Sequence, residues 1–123
     1  MSKAKIVVHD DGTFYGIRFC CPGCAQVRDG VGSWVVLTVK WTPEGYTRSP
    51  HINEQHCWGF DGNLDNPTLT PSVLQQWNQW QGEGVPAKRH VCHSFVRNGR
   101  IEFLGDSTHS LAGQTVDLPE IEE

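Results

Sequence analysis

The sequence predicts a mainly β protein, a small antiparallel sheet or sandwich of five to seven strands held together by a metal ion. Three observations predict it. Short segments alternate apolar and polar residues, as strands with one buried face do. Asn98-Gly99 is a preferred two-residue hairpin turn. Cys21-Pro22-Gly23-Cys24 places two thiols on one tight turn, as in many metal sites. One short helix is expected near the C-terminus.

The N-terminal part predicts a hairpin and a further strand. Lys5–Val8 is a β-branched run, and the turn residues Asp10-Asp11-Gly12 follow it. Period two then places one set of side chains on the apolar face of the next strand. That set is Tyr15, Ile17, Phe19 and Cys21. Ser33–Trp41 predicts another strand with Val35, Leu37, Val39 and Trp41 facing inward.

The middle of the chain carries weaker signals. Residues 42–54 predict an irregular connection, because they contain two prolines, a glycine and many polar groups. Pro67–Leu74 predicts an edge strand or an extended segment. Gln75–Lys88, with exposed Trp77 and Trp80, predicts a surface excursion; the two tryptophans could form a contact surface or a local lid.

The C-terminal part is defined by the Asn98-Gly99 turn. Counting back from it pairs Val96 with Ile101, Ser94 with Phe103 and Cys92 with Gly105 in one hairpin. Asp106–Leu111 then predicts the short helix, with Asp106 or Ser107 as N-cap and Gly113 as the stop.

Length and charge limit the organisation and the partners. The 123 residues suit one domain, which we place at 1–118, with an acidic tail at 119–123 that we expect to fray. The net charge of −4, with no basic stripe, argues against a nucleic-acid-binding groove. No segment is long and apolar enough for a membrane span, so we expect a cytoplasmic protein. Five cysteines in that compartment indicate metal ligands or free thiols.

Five side chains are candidate metal ligands. The turn with Cys21 and Cys24 supplies half of a tetrahedral site, and the remaining donors cluster later in the sequence. Adjacent residues of a regular strand point to opposite faces, so either Cys92 or His93 could be the true ligand. The full set is Cys21, Cys24, Cys92, His93 and His109. Two thiolates in one site favour zinc, so we expect a domain stapled by zinc.

The five candidates leave two kinds of zinc site open. Four filled positions would make a closed, structural site, whereas three protein ligands would leave a place for water and chemistry. In the second case the protein would be a small zinc-dependent hydrolase, with His109 or Asp106 as the base.

Several motifs together resemble a family of small proteins from tailed phages and prophages that are often labelled ammonia monooxygenase. The resemblance rests on the N-terminal cysteine turn and on three later runs. These are Pro67-Thr68-Leu69-Thr70-Pro71-Ser72, Cys92-His93-Ser94-Phe95-Val96, and Thr108-His109-Ser110-Leu111-Ala112-Gly113-Gln114-Thr115-Val116. The label does not fit, because ammonia oxidation requires membrane-embedded subunits and copper or related centres.

The resemblance implies a phage or prophage origin, the cytoplasm of an infected or lysogenic bacterium, and zinc on Cys21, Cys24 and the Cys92-His93 pair. Our leading functional expectation is therefore a non-enzymatic accessory protein with a structural zinc site. It would act by binding a host or phage protein, in countering host defence or in host takeover.

Overall fold

The protein is mainly β and its sheets are antiparallel. The structure, a computed structural model, describes residues 2–23 and 34–121. Within these ranges the chain forms nine strands, two of which are only two residues long, so the expected five to seven strands are exceeded. The strands are β1 (Ala4–Val8), β2 (Phe14–Cys20), β3 (Trp34–Leu37), β4 (Gly59–Phe60), β5 (Leu69–Thr70), β6 (Val73–Gln79), β7 (Lys88–Arg97), β8 (Arg100–Phe103) and β9 (Thr115–Asp117).

The N-terminal sheet has the order β1-β2-β3 and contains the predicted first hairpin. Its turn is closed by Asp11, whose Oδ1 accepts hydrogen bonds from the backbone N–H and the hydroxyl of Thr13 at 2.9 and 2.6 Å. Ile17 and Phe19 are buried, as period two predicted. β3 ends at Leu37, and Val39 makes only an isolated bridge to Trp58, so this strand is shorter than the predicted Ser33–Trp41.

The C-terminal sheet has the order β6-β7-β8-β9, and the ten-residue β7 lies between two partners. The predicted turn joins β7 to β8, with Asn98 and Gly99 both at positive φ, 50° and 74°. The ladder pairs Val96 with Ile101 and Ser94 with Phe103, which confirms the predicted register. It ends there, so the expected pair of Cys92 with Gly105 does not form within it.

The predicted surface excursion at Gln75–Lys88 is wrong for its first five residues, which are in a strand, whereas residues 80–87 form a mostly exposed turn region between two strands. Val73–Gln79 forms β6 and pairs antiparallel with β7, so that Leu74 lies opposite His93 and Trp77 opposite His90. The glutamines of this segment did not indicate a strand. An edge strand with one exposed face can carry polar side chains on that face and still bury the side chains of its other face.

The predicted helix at Asp106–Leu111 is also wrong, since these residues form turns. Ser107 Oγ accepts a hydrogen bond from His93 N–H at 3.0 Å and donates one to His93 O at 3.1 Å. Thr108 Oγ1 accepts from Val91 N–H at 3.0 Å. These hydroxyls form hydrogen bonds with the backbone of β7 and hold residues 106–111 against that strand. Such side-chain hydrogen bonds compete with helix formation in this segment.

One hydrophobic core joins the sheets. Phe14, Ile17 and Phe19 of β2 belong to the same buried cluster as Ile101 and Phe103 of β8. Within the described residues, helix is limited to a 3-10 turn at Glu54–His56 and to residues 22–23, and no helix there is long and apolar enough to cross a membrane.

The described C-terminal residues are partly buried and contact Ser2, which precedes β1. Leu118 is 2% exposed and Ile121 is 6% exposed. The Ile121 N–H donates to Ser2 O at 2.8 Å. Residues 122–123 of the segment expected to fray are outside the described part of the chain.

Candidate functional site

A serine, a histidine and an aspartate meet on the outer face of the C-terminal sheet. Ser72 immediately precedes β6, and its carbonyl accepts a hydrogen bond from Trp58 Nε1 at 3.1 Å. Because Leu74 of β6 is paired with His93 of β7, Ser72 lies on the diagonal from His93, and the two side chains share one face of the sheet. The pairing of β6 with β7 therefore sets the distance between them.

His93 bridges the other two side chains. Its Nε2 lies 2.9 Å from Ser72 Oγ, and its Nδ1 lies 3.1 Å from Asp106 Oδ2. A carboxylate only accepts hydrogen bonds, so this arrangement assigns the imidazole proton to Nδ1 and leaves Nε2 free to accept the Ser72 hydroxyl proton. The ring is thus oriented as a base toward the hydroxyl.

Asp106 reaches His93 from the turn that follows β8. The two Ser107 hydrogen bonds to the His93 backbone hold this turn on β7, so the residue next to the aspartate fixes its position relative to the histidine. The Asp106 side chain is 59% exposed and that of His93 is 25% exposed. Water therefore reaches the carboxylate, which weakens its electrostatic effect on the ring.

The three residues have the geometry of a nucleophile, a general base and an orienting acid. A serine hydroxyl is a weak nucleophile until an adjacent base removes its proton, and a base held by a third group is the recurring solution. Sequence reasoning had assigned Asp106 as a possible base and His93 as a metal ligand, and it had not singled out Ser72 for chemistry. In the structure Asp106 instead contacts the histidine.

A cleft opens beside Ser72. It has a volume of about 340 Å³. Two of its lining residues adjoin the serine: Pro71 precedes Ser72, and the Trp58 indole N–H donates a hydrogen bond to the Ser72 carbonyl. The lining residues are Gln55, His56, Cys57, Trp58 and Pro71. The lining combines an aromatic ring and a proline with the polar side chains of Gln55 and His56.

Three of the metal candidates, Cys21, Cys92 and His109, are buried on the core side of β7. Cys92 is 2% exposed and adjacent to His93, but it points into the core, where its sulfur lies 3.6 Å from the sulfur of Cys21. His109 is buried nearby in the turns after β8, and Cys24 lies outside the described residues. No group of three or more His, Cys, Asp and Glu side chains that could hold a metal ion occurs in the described ranges. The zinc staple stays a prediction.

Ser72 is the candidate nucleophile that the sequence analysis did not single out. Ser72 is 21 positions from His93 in the sequence, and His93 is 13 positions from Asp106. No local motif, such as a serine flanked by glycines, surrounds Ser72. The only signal was its place at the end of Pro67-Thr68-Leu69-Thr70-Pro71-Ser72, the run that contributed to the resemblance.

The comparisons with known proteins agree with this geometry. A family model described as "BubE: Bacterial ubiquitination-like system serine protease" matches residues 1–104, which include Ser72 and His93. Asp106 lies two positions beyond the matched range. The searches among curated proteins and among solved structures found no match.

This match overturns the leading expectation from the sequence. A phage accessory protein that acts by binding a host or phage protein is the wrong description, because the matching family is described as a protease of a bacterial system. The expectations of a phage origin and of host interaction fall with it, while the hydrolase alternative partly fits, because a protease is a hydrolase. Since the match covers most of the 123 residues, this chain belongs to the BubE family, described as serine proteases of bacterial ubiquitination-like systems.

Proposed function

We propose that this chain is a serine peptidase in which Ser72 is the nucleophile, His93 the general base and Asp106 the orienting acid. The observation that carries the proposal is the continuous hydrogen-bonded line from Ser72 Oγ to His93 Nε2, at 2.9 Å, and from His93 Nδ1 to Asp106 Oδ2, at 3.1 Å. The family description supports the same activity independently of this geometry.

The reaction follows from the positions of the protons. Ser72 Oγ attacks the carbonyl carbon of the scissile amide while its proton moves to His93 Nε2, and the negative charge of Asp106 stabilises the imidazolium that forms. The imidazolium then protonates the leaving amine, the C–N bond breaks, and an ester of Ser72 remains. Water deprotonated by the same Nε2 hydrolyses this ester and returns the hydroxyl to Ser72.

The cleft beside Ser72 is the place for a substrate side chain. Its Trp58 and Pro71 walls favour contact with an apolar or flat group, and Gln55 and His56 can form hydrogen bonds at its edge. By analogy with the family description, we propose that the substrate is a protein of a bacterial ubiquitination-like system, cleaved at an amide bond in the cytoplasm.

A fluorophosphonate probe tests the nucleophile. Such probes react with activated serine hydroxyls: the serine oxygen bonds to phosphorus, fluoride leaves, and the serine proton passes to the base. We expect one label per chain, mapped to Ser72 by peptide mass spectrometry. Ser72→Ala and His93→Ala should abolish labelling, whereas Ser110→Ala, which alters an exposed serine in the turns after β8, should label as the wild type does.

A second assay separates peptidase from esterase activity. Wild-type protein is incubated with a library of peptides from a bacterial proteome, and the new termini are mapped by mass spectrometry. We expect cleavage that Ser72→Ala eliminates. Labelling at a serine other than Ser72 would refute the assigned nucleophile. Labelling at Ser72 with hydrolysis of esters alone would refute the peptidase assignment.

A further inference from the structure

A second pocket opens where β6 ends and β7 begins, and it shares no lining residue with the cleft beside Ser72. It has a volume of about 190 Å³. Its lining residues are Gln76, Trp77, Asn78 and Arg89. Two side-chain amides and a guanidinium bring several N–H donors together here, and the proposed catalysis uses none of them. This set of donors suits a group with two acceptor oxygens, such as a carboxylate.

The pocket lies along the face of the sheet that carries the candidate catalytic group. Residues directly opposite in an antiparallel ladder share a face, and so do residues two positions apart in one strand. β6 and β7 pair Leu74 with His93 and Asn78 with Arg89. Arg89 is thus four positions from His93 on the same face of β7, about 13 Å away at about 3.3 Å per residue. An extended peptide that reaches the base can also reach this arginine.

Arg89 differs from the arginine at the other end of β7 in having no carboxylate partner. Arg97, four positions from His93 in the opposite direction, forms an ion pair with Glu102 at 3.4 Å. Within residues 2–23 and 34–121, Arg89 forms no ion pair, and its Nη2 donates instead to the neutral amide oxygen of Gln76. A guanidinium has five N–H donors, so this bond leaves others for a ligand. The charge of Arg89 is therefore available to balance that of a bound anion.

We infer that this pocket binds an acidic side chain of the peptide substrate and that Arg89 determines the preference for it. An extended chain advances about 3.3 Å per residue, which places this side chain about four residues from the cleaved bond. A peptide on this path covers Leu74, which is 48% exposed between Ser72 and Gln76. Arginine binds a carboxylate through two parallel hydrogen bonds, and the amide of Asn78 can donate a further one. The inference rests on the proposed peptidase function and specifies its substrate.

The sequences of cleaved peptides test this inference. Wild-type protein digests the bacterial peptide library, and the products are aligned on the cleaved bond. We expect aspartate and glutamate to be enriched about four residues from that bond, on one side of it. Arg89→Gln should eliminate the enrichment. The matched control is Arg97→Gln, which removes an arginine at the same distance from His93 in the other direction and should keep the enrichment.

A pair of matched peptides measures the size of the preference. One cleaved peptide is made with glutamate and with glutamine at the enriched position, and kcat/KM is compared. Because Arg89 is exposed, we expect a moderate ratio in the wild type, about 5-fold in favour of glutamate. The ratio should fall to about 1 in Arg89→Gln and lie between these values in Arg89→Lys, which keeps the charge but loses the planar fork. A ratio within one variant is unaffected by a general loss of activity. In the wild type it should also decrease with added salt, because exposed charges are screened.

The outcomes separate this inference from the proposed function. Cleavage without an acidic preference, or a preference that survives in Arg89→Gln, would overturn the inference and leave the peptidase assignment in place. A preference lost to the same extent in Arg97→Gln would attribute it to the overall charge of the sheet face, and would overturn the pocket as its cause. Absence of peptide cleavage by the wild type would overturn the proposed peptidase function, and this inference with it.

Discussion

The exposure of Asp106 leads to a quantitative expectation for Asp106→Asn, which removes the charge and keeps the size of the side chain. The carboxylate oxygen lies 3.1 Å from His93 Nδ1, and its side chain is 59% exposed. At this separation, opposite unit charges attract by about 1.3 kcal/mol with the dielectric constant of water and by about 5 kcal/mol with an effective constant of about 20. Access of water places the stabilisation of the imidazolium nearer the lower value, at about 2 to 3 kcal/mol.

This energy corresponds to a fall in kcat of about 30-fold to 160-fold, since about 1.36 kcal/mol is a factor of ten in rate. Loss of the proposed nucleophile in Ser72→Ala should cost far more, on the order of 10⁶-fold, as the same change does in a serine peptidase. The assay is kcat on a cleaved peptide, with the rate of fluorophosphonate labelling as a second readout.

The matched control is Asp65→Asn, which alters an exposed aspartate that accepts a hydrogen bond from Ser2 and lies outside the proposed site. An Asp106→Asn variant with wild-type kcat would refute the role of Asp106. A loss as large as that of Ser72→Ala would refute the estimated magnitude, because Asp106 would then contribute more than a screened charge, for example by fixing the tautomer of His93.

Two further variants test the contacts that position the serine and the histidine. Trp58→Phe removes the 3.1 Å hydrogen bond to the Ser72 carbonyl. We expect the free energy of unfolding, measured by denaturant titration, to fall by about 1 kcal/mol, and kcat/KM for peptide cleavage to fall as well. The control in both assays is Trp80→Phe, at a side chain that is 77% exposed. Ser107→Ala removes both hydrogen bonds to the His93 backbone, and we expect a loss of about 1 to 3 kcal/mol in stability and a fall in kcat with little change in KM. Unchanged stability and kinetics in either variant would contradict the assigned contact.

The hairpins of this protein were predictable because their information is local. Asn98-Gly99 determines the β7–β8 register through its own backbone preferences, and period two correctly identified Ile17 and Phe19 as buried. The helix expected at Asp106–Leu111 failed because Ser107 and Thr108 bond the backbone of β7, a strand more than ten positions away in the chain. Local propensity does not contain that contact.

The candidate site depends on long-range pairing in the same way. Histidine and aspartate were recognisable as chemically capable residues, and the alternation of a strand already placed Cys92 and His93 on opposite faces. The pairing of β6 with β7 decides which face of the sheet holds the candidate catalytic residues, because it brings Ser72 Oγ to 2.9 Å from His93 Nε2. The sequence by itself determined the β class and the C-terminal hairpin, because turn and strand preferences act between neighbours. The tertiary structure decided which residues form the candidate catalytic group, because sheet register is set by contacts between residues that are distant in the chain.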